Sequence, residues 1–283
     1  MNQGTLDSRA IGAAFAQPDS DGNFTGVFAD YLRSLGMKRP VLFFAFAPKV
    51  AGTFLRTAAI DAVGGSLVRI VHAQGGRDAQ PYLPIFINYF LGGMCEGPLV
   101  AHVHMQALPA NRRFLEAFDI KPIIMLRPLA DMLASYWDML AASAQARAEG
   151  LNCPIPDEFP DYSAVQKADF MIDMIAPWYV HYFATWRDYA RARPDDVCVL
   201  RYANFVADPA HVLETALDHA DLTRSRFVCQ AALDGAWKDR AALRFNKGTL
   251  GRGRAYFSDA HHERLARMLN YHPVLADWRG ELL

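Results

Sequence analysis

Three groups of residues have the types and spacing to do chemistry. The first is Lys49, Gly52 and Thr53, which follow the apolar run "FFAFAP" and open "TFLRTAAIDAVG", a stretch with helical spacing. A cation, a residue free to turn and a hydroxyl at a strand-to-helix junction suit an anion, because a helix N-terminus offers N–H groups and the positive end of the dipole. The second group closes another apolar run. "PIIML" stops at Arg127, and Asp131 and Ser135 follow at helical spacing on the same face. An arginine fork with a nearby hydroxyl suits a phosphate, with Asp131 orienting the arginine or capping the helix. The third is "LVAHVH", where His102 and His104 point to one side of a strand. Histidine is the commonest general base. His104 stands at the strand's end, where ligands gather in parallel sheets. His102 either shares that cleft or lies in the packing layer. The pair lacks a third ligand at a telling spacing for zinc, so no metal is expected.

The order of these parts differs from a nucleoside triphosphate site. A Walker A loop reads G-x-x-x-x-G-K-[ST], whereas here the lysine comes before the glycine. Triphosphate chemistry uses Mg²⁺ held by an acidic residue at a neighbouring strand end. Here "PIIML" runs into Arg127 and "VCVL" into Arg201. The expectation is a site that holds anions directly with cations.

At this point the chain resembles the sulfotransferases that use 3′-phosphoadenosine 5′-phosphosulfate (PAPS). "PKVAGTFL" at 48–55 looks like that family's 5′-phosphosulfate loop, P-K-S-G-T-T-W, with Thr53 and Phe54 at its second hydroxyl and its aromatic. "RPLADMLAS" at 127–135 matches the R-x-x-x-D-x-x-x-S segment that binds the 3′-phosphate. "FNKGTLGRG" at 245–253 is similar to the late R-K-G-x-x-G segment, with Lys247, Gly248 and Gly251 in place. "VCVLRYANFVADP" at 197–209 resembles the strand and turn near the adenine. The four occur in family order over roughly residues 40–270. Asn246 replaces the arginine of R-K-G, which makes Arg252 or Arg254 candidates for its task. The likeness is nearer to bacterial small-molecule members than to animal cytosolic ones.

The resemblance implies a P-loop NTPase-like, three-layer α/β/α fold with a central parallel sheet. It implies PAPS as cofactor, 3′-phosphoadenosine 5′-phosphate (PAP) as its product, and a cofactor site of Lys49, Ala51, Gly52, Thr53, Phe54, Arg127, Ser135, Tyr202, Lys247 and Gly248. It also implies a histidine base on the strand before the arginine strand. His104 fits better than His102 because the segment after it, with Pro109 and Asn111, matches the family's pattern. Lys49 would assist the leaving phosphate. The reaction implied is sulfuryl transfer to a hydroxyl of a small, partly apolar acceptor. Two alternatives remain: a P-loop kinase or other phosphotransferase, against which the missing GK[ST] loop counts, and a non-catalytic sulfotransferase-like binding module, against which His104, Lys49 and Arg127 count.

The elements that must position these residues alternate strand and helix, as a parallel sheet with helices on both faces does. Strands are expected at 41–47, 66–73, 98–104, 122–127 and 196–202, and helices at 26–36, 53–64, 129–148 and, as one or two around Pro177, 164–192. "ADPAHVLETALDHADL" and "SDAHHERLARMLNYH" read as capped helices, with His261 and His262 solvated. Residues 1–25 read as a flexible lead-in and 26–283 as a single domain. The Pro-rich stretch 149–163 is long enough for a functional or mobile loop. "PYLPIFINYFLGGM" either walls an acceptor pocket or is core, and core is the reading for Phe86, Tyr89 and Phe90. Trp137 is a further candidate for the acceptor side, and "APWYVHYFATW" reads as helix packing.

Composition bounds the rest. Of 283 residues 52% are hydrophobic, enough for a sizeable core, and 29 basic against 30 acidic residues leave a net charge of −1. That balance gives no global drive toward nucleic acid, so any anion site is local. The four cysteines have neither zinc nor disulfide spacing. No stretch reads as a signal peptide or reaches the ~20 apolar residues of a membrane span. The expectation is a soluble cytoplasmic protein.

Overall fold

The structure, a computed structural model, describes residues 26, 29, 30, 39–71, 80–91, 95, 97–148, 150, 153–239 and 248–283. The lead-in at 1–25, most of the helix expected at 26–36, and Asn246 and Lys247 lie outside them.

Five strands form one all-parallel sheet: β1 (Val41–Phe44), β2 (Ser66–Val68), β3 (Leu99–His102), β4 (Pro122–Leu126) and β5 (Cys198–Arg201), in the order β2-β3-β1-β4-β5. Leu42–Phe44 and every residue of β4 are buried, so the central strands are covered on both faces, as their continuous apolar runs require. The α/β reading, with a central parallel sheet between helices, holds.

The strand order fixes where a ligand can sit. From β1 the chain moves outward to β2, returns through β3 beside β1, and then crosses to β4 on the other side. The order therefore reverses at β1. In open α/β sheets the crevice at such a reversal, beyond the carboxyl ends of the strands, is the ligand site. The Lys49 turn after β1, the histidine segment after β3 and Arg127 after β4 all open onto it.

One expected helix divides, and three strands stop short of their expected ends: β1 at Phe44, β2 at Val68 and β3 at His102, so His104 stands beyond its strand. The helix expected at 129–148 is two, α4 (Leu129–Ala142) and α5 (Ala144–Ala148). Ser143 between them is extended, and its hydroxyl accepts the N–H of Ala146, a short polar side chain competing with the helix ladder. The 164–192 segment runs on without a break: α6 (Ala164–Phe170), a π-turn (Met171–Ile175) and α7 (Ala176–Ala192). Pro177 falls in the first turn of α7, where its missing N–H costs nothing, and the wider π-turn before it absorbs the ring. "LPIFINYFL" is a helix, α2 (Leu83–Leu91). Phe86 is fully buried among Phe114 and Phe118, so for this ring the core reading holds. Tyr89 is half-buried against the core, and the Phe90 side chain lies outside what is described.

The remaining helices are α1 (Gly52–Val63), α3 (Pro109–Ala117), α8 (Tyr202–Ala207), α9 (Pro209–His219), α10 (Arg226–Lys238), α11 (Asp259–Asn270) and α12 (Arg279–Leu282). Polar caps open α9 and α11 as expected: Asp208 accepts the N–H of His211, and Ser258 forms a capping box with His261. His261 is not simply solvated, since its Nε2 also lies 3.3 Å from Asp169. The stretch expected to be a functional or mobile loop is anchored at its end by Phe159, which is fully buried beside Tyr162 and Phe170. The four cysteines are free. No described helix is long and apolar enough to cross a membrane.

Candidate active site

The turn between β1 and α1 is strained in a specific way. Lys49 (φ 68°) and Ala51 (φ 62°) both adopt the left-handed conformation, although neither is glycine. Each such residue costs roughly 1–2 kcal/mol, and strain of this kind collects at functional sites. Alternating backbone hands turn successive N–H groups inward to form an anion-binding nest. Helix α1 continues it: no side chain caps its N-terminus and its first turn holds no acidic residue. Twelve residues of helix dipole thus point their positive end at the crevice.

Gly52 starts that helix against the histidine strand. A Cβ here would lie 2.7 Å from Nε2 of His102 and 2.9 Å from Cδ2 of Phe46, so no larger residue fits without movement. His102 is buried, with Phe46 edge-on at 5.9 Å. His104 is half-buried, and the two imidazoles stand 5.4 Å apart, centroid to centroid. His104 lies two residues beyond the end of β3, yet its ring still meets that of His102, and it is His102 that touches the helix start. Lys49 reaches the other way, its Nζ 3.6 Å from Sδ of Met139 on α4.

Arg127 joins three parts of the site. It is 4% exposed. Its Nη1 donates to the carbonyl of Lys49 at 2.5 Å and its Nη2 to that of Thr249 at 3.4 Å. Its guanidinium lies 4.0 Å from the ring centroid of Tyr202. Burial presses its pKa down, and Tyr202 and Asp131 push it back up; an arginine remains charged throughout. Its Nε is buried with no hydrogen-bond partner among the described residues. The same burial raises the Tyr202 phenol, against the pull of Arg127. Ser135, two turns along α4, is likewise 4% exposed.

Asp131 neither caps α4 nor spends its hydrogen bonds on Arg127. Its two oxygens accept the backbone N–H groups of Gly251 and Gly253, each at 2.8 Å. This clamps the late glycine segment onto α4. Gly253 is held so tightly that a Cβ would lie 2.4 Å from that of Ala130. Arg252, a candidate for the missing arginine, is committed elsewhere. It donates to Asp138 at 2.6 Å, and the Tyr256 hydroxyl donates to the same carboxylate. Arg254 is exposed, and Arg201 pairs with Glu281 at 2.7 Å rather than entering the site. Trp137 packs edge-on against Tyr256 and Phe257, so its described contacts are to the late segment.

A cavity of about 410 Å³ lies between α1, α8, α9 and α10, with Gly248 at its edge. Phe54, Phe205 and Trp237 form its aromatic walls, with edge contacts of 6.0 Å and 6.1 Å from Phe54 to the other two. Its size is that of a small-ligand pocket, and aromatic faces suit a planar ring. Of the residues expected to bind cofactor, Phe54 and Gly248 line this cavity; Lys49, Ala51, Gly52 and Thr53 form the turn and helix start after β1, Arg127 joins that turn to Tyr202, Ser135 is buried on α4, and Lys247 lies outside the described residues. Phe205 and Trp237 also line the cavity and were not singled out from the sequence. A signal for Trp237 was present: it is a half-exposed tryptophan in the last turn of α10, just before the glycine-rich segment.

No protein-family model and no curated protein matches the chain. Solved structures do. Mouse sulfotransferase SULT7A1 complexed with PAP superposes with a TM-score of 0.60 at 13% identity, over 86% of each chain. Retinol dehydratase in complex with androsterone and the inactive cofactor PAP gives 0.51 at 14% identity, over 86% of this chain and 83% of that one. The same enzyme with retinol and PAP gives 0.50 at 14%, over 88% and 86%. At such identities the likeness establishes the fold.

Proposed function

We propose that this chain is a sulfotransferase that moves a sulfuryl group from PAPS to the hydroxyl of a small, partly apolar acceptor. The observation that carries this is Arg127: a guanidinium 4% exposed, braced by two carbonyls and a tyrosine ring, with a buried Nε that has no partner among the described residues. A buried charged donor calls for an anion. The nest at 49–51 with the bare start of α1 offers a second anion site, and the aromatic cavity beside Phe54 would take the base between them. Two phosphates and an adenine would fit these three places, and the three solved structures named above contain PAP.

When bound, PAPS supplies a sulfuryl group on an anhydride with a good leaving phosphate. The protein's part is positioning and charge. The N-terminus of α1, the inward amides and Lys49 balance negative charge at the 5′ end, where it grows as the bond to phosphate breaks. Arg127 and Ser135 hold the 3′-phosphate, and the Asp131 clamp keeps the late segment over it. His104, the more exposed imidazole, takes the acceptor's proton on a ring nitrogen. The contact between His102 and Gly52 favours a second reading, in which His102 takes the proton because it is the ring that touches the helix start. The test of the whole is thermal shift with PAP against ATP·Mg²⁺. PAP at 100 times its Kd should add about 2.7 kcal/mol to stability. An equal shift with ATP·Mg²⁺ would favour a phosphotransferase.

A further inference from the structure

Helix α7 turns one stripe toward the crevice. Tyr179, Tyr182 and Trp186 sit at i, i+3 and i+7, which is one helix face, and all three are fully buried. Each carries a polar atom, and each such atom reaches backbone that has just left the sheet. The Tyr182 hydroxyl donates to the carbonyl of Ala45, and the Tyr179 hydroxyl to that of Pro48 at 3.3 Å. Trp186 Nε1 donates to the carbonyl of Met105 at 2.8 Å. Thr185, on the same helix, accepts the N–H of Ala107 at 3.2 Å and donates to the carbonyl of Tyr182 at 2.9 Å.

These partners fall on two separate loops. Ala45 and Pro48 bracket the run from β1 into the Lys49 turn. Met105 and Ala107 follow directly on His104. One rigid helix therefore holds both the anion turn and the histidine segment. Packing alone would be met by phenylalanine or leucine at all three positions. A buried hydroxyl or indole N–H costs about 1–3 kcal/mol if left unmade, so each of these polar tips ties its loop to one place. Burial also lifts the Tyr182 phenol well above its ordinary range, which keeps it a donor.

We propose that Tyr179, Tyr182 and Trp186 are positioning residues that set the separation between the Lys49 turn and the His102–His104 segment. This rests on the sulfotransferase reading of the site. A misplacement of about 1 Å between reacting groups can cost 10²-fold in rate, so such a brace would act on turnover more than on binding.

The experiment uses the full chain and PAP. Affinity is measured by calorimetry. The ring-proton NMR shifts of His102 and His104, assigned with His102→Gln and His104→Gln, are followed as PAP is added. The field of the bound anion falls with distance, so the shift change reports the separation. In wild type, PAP should move at least one ring. In Tyr179→Phe and Tyr182→Phe, Kd should stay within about threefold of wild type, roughly 0.65 kcal/mol, while the ring shift falls to less than about half. Tyr179→Phe, which removes the longer bond, guards against a Tyr182→Phe protein that does not fold. An unchanged ring shift in both variants overturns the brace. So does a ring shift that falls only in step with affinity and melting temperature, since that is plain destabilisation. If wild type binds PAP without moving either ring, the brace fails and the nucleotide site stands. If wild type does not bind PAP, the sulfotransferase reading itself fails and the brace falls with it.

Discussion

Asp131 and Gly253, 122 residues apart in the chain, meet at 2.8 Å, the carboxylate Oδ1 accepting the glycine N–H while Oδ2 accepts that of Gly251. The only charged group in the first turn of α4 thus serves a loop that closes from the far end of the chain. Asp131→Asn keeps the shape but turns an NH₂ toward one of the two donors. Hydrogen bonds to charged groups contribute about 1.5–3 kcal/mol, so affinity for PAP should fall roughly 10–100-fold. Calorimetry checks it, and an unchanged Kd would remove the clamp from the nucleotide site.

Arg127→Ala and Ser135→Ala should weaken PAP more than adenosine 5′-phosphate, because both act on the 3′-phosphate. Arg127 should have the larger effect, about 1.5–3 kcal/mol for a charge-assisted contact. Competition binding with the two nucleotides measures the difference. If both variants keep wild-type discrimination, the 3′-phosphate lies elsewhere.

Trp237→Ala tests the aromatic cavity. Trp237 is 49% exposed, so its loss should barely move the melting temperature. Aromatic pairing contributes about 0.5–1.5 kcal/mol, so PAP should bind roughly 2–12-fold more weakly. An unaffected Kd would place the base outside the Phe54–Trp237 cavity.

His104→Ala should lower turnover by 10²–10⁴-fold, the usual cost of a lost general base, with PAP affinity retained. His102→Ala should act mainly through stability, because that ring fills the space between Phe46 and Gly52. Single-turnover assays with PAPS and a panel of phenols and alcohols, paired with melting curves, separate the two. A folded but dead His102→Ala protein beside an active His104→Ala protein would move the base two residues back, onto the end of β3.

Much of the site was legible in short windows of sequence. A lysine and a hydroxyl at the end of one apolar run, and an arginine at the end of another, report strand ends, and strand ends in a parallel sheet gather at one edge. The two imidazoles do come together, although His104 stands past the end of β3 rather than on it. The break at Ser143 was not legible, because "LADMLASYWDMLAASAQARA" keeps helical spacing across a serine whose competing hydrogen bond shows only in three dimensions.

The sequence by itself determined the chemistry: which residue types stand at the strand ends, that they are cations with a hydroxyl and imidazoles nearby, and that continuous apolar strands must be covered on both faces. Only the tertiary structure decided who meets whom. Asp131 could have turned to Arg127, yet the late segment brings two backbone donors to it. Arg252 looked free to replace a missing arginine, yet α4 places Asp138 beside it. Phe54, Phe205 and Trp237 come from three helices and become one cavity only when α8 and α10 fold against α1. Local spacing follows from the repeat of a single helix or strand, whereas these partners depend on how crossovers bring distant elements together, and no window of the chain contains both sides of such a contact.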